Sequence, residues 1–134
     1  MFTNTKAFSG FAVDDLEQAR HFYGDTLGLE VTDLGMGGLI GIEVGGGTSV
    51  MVYPKPDFVP ATYTVLSFPV ADLEAAVDDL VAKGVTMQRY DGMFPGVEQD
   101  ERGIARGPEG PAIAWFTDPA GNILAVLDQE GAAS

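Results

Sequence analysis

Apolar and polar positions follow two rhythms along the chain, and both rhythms come round twice. Residues 6–13 read as a strand. Leu16, Ala19, Tyr23 and Leu27 then recur at helical spacing, which leaves Glu17, Gln18 and His21 on the solvent side. This predicts a helix that starts at Asp14 or Asp15 and ends at Gly28, with Glu17 three residues after Asp14 as in a capping box. Short β segments follow at 29–34, 38–44 and 48–53, separated by glycine-rich turns at 35–38 and 45–47.

Three prolines stiffen residues 54–60, and the same order then returns. A strand is predicted over 62–70. Leu73, Ala76, Val77, Leu80 and Val81 form one helical face, and Gly84 stops that helix. Residues 85–89 read as a strand, 91–108 as a long loop, and 111–117 with 122–128 as a hairpin. The hairpin turn, Asp118-Pro119-Ala120-Gly121, has the Pro and Gly positions of a type I turn. Residues 131–134 read as a frayed tail.

The return is literal in places. Phe11-Ala12-Val13-Asp14-Asp15-Leu16-Glu17 is echoed by Phe68-Pro69-Val70-Ala71-Asp72-Leu73-Glu74, an offset of 70 − 13 = 57 residues. Gly47 to Tyr53 is matched by Gly121 to Leu127, an offset of 121 − 47 = 74 residues. The organisation is βαβββ, twice: an α+β chain built from two copies of one supersecondary unit. It is read as a single domain, 1–134, with module one at 6–53, a linker at 54–61 and module two at 62–128.

Composition narrows the chemistry. With 134 residues, 46% of them apolar, the chain can build a core without a metal or disulfide as a staple. It has no cysteine, which excludes a disulfide framework, a thiolate zinc site and a cysteine nucleophile. The net charge of −13 repels nucleic acid and anionic membranes. It serves solubility and is compatible with a cationic ligand. No apolar run approaches the ~20 residues of a membrane span, and the first residues lack the pattern of a signal peptide. The expected location is cytoplasmic.

Val13-Asp14-Asp15-Leu16 with Arg20-His21-Phe22-Tyr23, and Trp115 to Asn122 around the Asp-Pro turn, carry a resemblance over about residues 6–128. The chain resembles the vicinal oxygen chelate superfamily, which includes glyoxalase I, extradiol dioxygenases and bleomycin-binding proteins. The resemblance implies curled, cup-shaped mixed sheets and, in the enzymes, a divalent metal held by His, Glu or Gln. Counted from Leu16, Leu73 and the Asp-Pro turn, the implied ligand positions are Phe8, Val65 and Ala125, and the repeat adds Met51. None of the four offers a donor to a divalent ion, and a slip of one residue does not supply one. His21, the sole histidine, falls on the solvent side of its helix.

Strand parity instead gives those positions an apolar floor. Phe8, Met51, Tyr53, Tyr63, Val65, Ala125 and Leu127 are the expected lining of a ligand pocket, and Phe8, Met51, Val65 and Ala125 are expected to converge. Trp115 fits pocket lining and core packing alike. The same side chains can also fill the cup as core. Residues 91–108 are the candidate cover, with Met93 and Phe94 closing on a ligand and Glu98, Asp100 and Glu101 available to a cation. No catalytic residue, metal ligand or cofactor is assigned.

The leading expectation is therefore a metal-free protein of the glyoxalase/bleomycin-resistance type that binds a small organic molecule. The alternative is a metal-dependent lyase, isomerase or dioxygenase of the same superfamily. A third reading is an interaction module with its cup packed shut. A homodimer is expected by analogy with the family.

Overall fold

The computed structural model describes residues 1–90, 96–107 and 110–129. The chain divides into two compact units, Met1–Pro60 and Ala61–Ser134, each a mixed α+β arrangement.

In the first unit, β1 (Ser9–Val13) leads into α1 (Leu16–His21), a π-helical turn at Phe22–Thr26, and the strands β2 (Glu30–Gly35), β3 (Leu39–Val44) and β4 (Thr48–Pro54). The sheet order is β1-β4-β3-β2, with β1 and β4 parallel and the other pairs antiparallel. The helix cap is Asp15, whose carboxylate accepts from the Gln18 amide at 3.1 Å. Gln18, not Glu17, is thus the third helical residue, and the expected Asp14–Glu17 capping box does not form. The π turn has more residues per turn than an α-helix, so two adjacent rings, Phe22 and Tyr23, both reach the core. Periodicity at 3.6 residues picks out Tyr23 and misses Phe22. Phe11, Val13, Ile40, Ile42, Val50 and Val52 complete that core, one from every second position of their strands.

The second unit contains β5 (Thr64–Val70), α2 (Leu73–Ala82), β6 (Met87–Gln88), β7 (Glu98–Gln99), β8 (Ala105–Arg106), β9 (Ile113–Thr117) and β10 (Ile123–Asp128). Its sheet runs β5-β10-β9-β8-β7, with β6 also on β9, and β5 parallel to β10. Asp72 repeats the cap of Asp15, accepting from the Ala75 amide at 3.1 Å. Gly84, at φ +89°, closes the helix: its amide donates to Val81 and that of Val85 to Leu80, both at 3.0 Å. Leu73, Val77 and Leu80 bury against the face of β9 and β10 that carries Phe116, Leu124 and Val126.

The long loop is not structureless. Its described part, 96–107, contains the two-stranded β7–β8 hairpin turned at Asp100–Gly103. No helix among the described residues is long and apolar enough to cross a membrane.

Candidate functional site

Each sheet has one face under its helix and one face turned away from it. Only the second face has side chains that helix packing does not claim.

In the first unit the register places Met51 between Gly10 and Gly41, Ser49 opposite Glu43, and Glu43 opposite Glu30. Ladder partners point to one side of a sheet, so these residues and Tyr53 share the face opposite Val50 and Val52. A Cβ built on Gly10 would lie 3.4 Å from Met51 Cε, so Met51 leans over that glycine. One built on Gly41 would lie 3.0 Å from Thr32 Oγ1 and 3.4 Å from Leu34 Cδ1. Both glycines thus make room for a neighbouring side chain to lie flat. The Ser49 hydroxyl donates to Glu43 Oε1 at 2.8 Å, which fixes a half-buried carboxylate on an otherwise largely apolar surface. Phe8 lies one residue before β1 and is 67% exposed.

In the second unit Ala125 pairs with Trp115 on one side and Ser67 on the other, and Leu127 pairs with Ile113. Trp115, Ala125 and Ala105 are buried, with Tyr90, Val97, Ile113 and Ile123 packed against them. Tyr90 meets Trp115 edge-on, with ring centroids 5.5 Å apart. Burial pushes the Tyr90 phenol above its ordinary pKa. The register shifts at Val65: Thr64 pairs with Ile123 and Leu66 with Leu124. Tyr63 precedes β5 and is 69% exposed.

The expected lining therefore resolves into two groups of different character. Met51 and Tyr53 lie together, half-buried, on the first sheet. Trp115, Ala125 and Leu127 lie together on the second, where Tyr90 and Val97 already pack over the floor. Met93 and Phe94 fall outside the described residues. Strand parity puts Ser49 on the face of Met51 and Tyr53, while Glu43 and Tyr90 are additions from the structure. The alternation of Leu39, Gly41 and Glu43 against Ile40 and Ile42 was the available signal for Glu43, since parity alone puts it on Met51's face.

Asp100, Arg102 and Arg106 of the loop are committed within their own unit. Asp100 accepts the amides of Arg102 and Ile104, both at 2.9 Å, and pairs with Arg106. Burial would raise its pKa, but the Ile104 amide, the Arg106 guanidinium and the Arg102 amide outweigh that and hold it below the ordinary value. Arg102 reaches Asp78 at 2.9 Å and Arg106 reaches Glu74 at 3.0 Å, tying the hairpin to α2. The Arg102 hydrogen bond lowers the Asp78 pKa. The Gln99 side-chain amide donates to the carbonyls of Gly103 (2.7 Å) and Gln88 (3.1 Å), while its oxygen accepts from the Tyr90 amide. Asp100 is a structural acceptor in this setting, not a free base.

A divalent metal does not fit the positions implied for it. Met51 has a thioether leaning over Gly10, Ala125 is fully buried beside Trp115, and Phe8 and Val65 bring only hydrocarbon. Among the described residues no three His, Asp or Glu side chains gather closely enough to hold an ion.

The family model described as the Glyoxalase/Bleomycin resistance protein/Dioxygenase superfamily matches residues 7–126. The chain belongs to this superfamily. Solved structures with the superfamily fold agree. A superfamily member from Sphaerobacter thermophilus is 23% identical with a TM-score of 0.68, covering 93% of this chain and 98% of its own. A glyoxalase family protein from Enterococcus faecalis is 17% identical with a TM-score of 0.67, over 95% and 99% of the two chains. TnmS3, an antibiotic-binding protein from Streptomyces, is 22% identical with a TM-score of 0.65, over 96% and 99%. At these identities the likeness shows the fold of the superfamily alone. No curated protein matches the chain.

Proposed function

We propose that this superfamily member binds a small organic molecule on an apolar sheet face and does so without a divalent metal. One observation carries the reading: the four positions where superfamily enzymes place metal ligands hold Phe8, Met51, Val65 and Ala125. None can polarise a substrate oxygen through a bound ion, whereas Met51 with Tyr53 offers the apolar surface a ligand floor requires. The antibiotic-binding relative supports a binding role for the fold. Met51 and Tyr53 are the proposed contacts, because Trp115 and Ala125 already pack under side chains of their own unit. A homodimer working in the cytoplasm completes the reading, on the strength of the sequence and of family habit.

A thermal-shift screen of small apolar organic molecules tests it. The expected result is a set of stabilising compounds whose effect survives EDTA and disappears in Met51→Arg, which puts a charge onto the half-buried floor. Stabilisation that vanishes on chelation, or that ignores Met51→Arg, would contradict it.

A further inference from the structure

The two units build the same sheet face and leave it in different states. Sheet order equates β1, β2, β3 and β4 of the first with β5, β6, β9 and β10 of the second. Thr32 pairs with Gly41 as Gln88 pairs with Trp115, and Met51 pairs with Gly41 as Ala125 pairs with Trp115. Two residues beyond Thr32 and Gln88, Leu34 and Tyr90 therefore hold matching places on that face. Leu34 is 45% exposed, and Met51 is only half-buried. Tyr90 instead lies edge-on to Trp115, with ring centroids 5.5 Å apart, and Ala125 is fully buried.

What holds Tyr90 in place is polar. The Gln99 side chain accepts the Tyr90 amide and donates to the carbonyls of Gln88 (3.1 Å) and Gly103 (2.7 Å). Arg89 donates to the carbonyls of Asp100 (2.7 Å) and Gln99 (3.1 Å), while Arg102 and Arg106 tie the same hairpin to α2. Three of the seven basic side chains thus serve one hairpin. It stands between β6 and β9, where the first unit has only residues 36–38 between β2 and β3. Among the described strands β7 is outermost and pairs with β8 alone. A two-residue edge strand held by half-exposed polar contacts opens far more readily than the sheet beneath it.

We propose that Tyr90 is a removable cover, positioned by Gln99, on a second ligand site formed by Ala105, Ile113, Trp115, Ile123 and Ala125. The guest is a neutral aromatic molecule about the size of the phenol ring that it displaces. The side chains gathered there are uncharged, and Trp115 offers a guest ring the edge-on contact that Tyr90 gives up. This goes beyond the binding reading above, which concerns the first sheet.

Trp115 is the sole tryptophan, so its indole N–H gives one NMR signal that reports on this site. The probes are 4-methylphenol, 4-methylcyclohexanol and 4-methylbenzoate, titrated into the isotopically labelled full chain. The phenol is expected to move the Trp115 signal in the native protein. It should bind about 10-fold more tightly to Gln99→Ala and to Tyr90→Leu, because a closed cover lowers apparent affinity by the fraction of open molecules. The cyclohexanol should bind more weakly and the benzoate most weakly. Met51→Arg should leave the Trp115 response unchanged.

A Trp115 signal that no probe moves would overturn the site. A response in the variants but not in the native protein would make Tyr90 permanent packing and overturn the cover. So would equal affinity in native protein and both variants. Benzoate binding as tight as that of the phenol would overturn the neutral guest. A response abolished by Met51→Arg would assign the binding to the first sheet and overturn the second site. Should Gln99→Ala not fold, Tyr90→Leu, which copies Leu34 of the first unit, carries the same test.

Discussion

Asn122 and Asp118 show how much one turn can depend on two side chains. Both are buried. Asp118 accepts from the Asn122 backbone at 2.8 Å and its side-chain amide at 3.2 Å, while Asn122 Oδ1 accepts from the Ala61 amide at 3.1 Å. That last bond ties the β9–β10 turn to the chain entering β5, 61 residues away. Asn122→Ala would remove the acceptor of the part-buried Ala61 amide and a side-chain donor from the buried Asp118 carboxylate. Urea unfolding should show a loss of about 2–3 kcal/mol, at the upper end for a buried polar group left unmatched. The Asp-Pro-Ala-Gly turn was legible in the sequence, because proline and glycine fix its backbone. The reach of Asn122 to Ala61 was not, since no local pattern encodes a contact between distant segments. Glu43 lay between these cases: its side of the sheet followed from parity, but its bond to Ser49 depended on register.

The repeat is most legible in the helix starts. Asp15 and Asp72 occupy equivalent positions and make the same cap, which is why the echo centres on Asp-Leu-Glu. Asp72→Ala should cost about 1 kcal/mol, measured by urea unfolding, as for other lost caps. Strands with a clear period of two were legible for the same reason: a buried face imposes alternation. The β7–β8 hairpin was not, because two-residue strands have no period to read and their order comes from Gln99, Asp100 and two arginines.

That origin makes the hairpin acid-sensitive. Asp100 and Asp78 both titrate below the ordinary carboxylate value in the folded chain. Their contribution is therefore present above the unfolded pKa and lost as pH falls through the lower, folded pKa. Amide exchange at Arg102 and Ile104, corrected for its intrinsic pH dependence, should lose protection across that acid range before the core of β9 and β10 does. Asp100→Asn should show reduced protection already at neutral pH. Unchanged protection in the variant would show that Asp100 does not hold the turn.

For the whole molecule, superfamily and fold were open to sequence reasoning because the two modules repeat their punctuation as well as their apolar pattern. The proposed chemistry rests on exclusion, from four positions whose side chains offer no oxygen or nitrogen donor. The proposed function has this member of a metal-using superfamily bind its ligand without a divalent ion. Elemental analysis tests it most directly, on protein produced in medium containing manganese, iron, cobalt, nickel and zinc and purified without chelator. Each metal is expected far below one equivalent per chain, in protein that still binds its small-molecule ligand. One equivalent of any of these metals, retained through gel filtration and needed for binding, would contradict it.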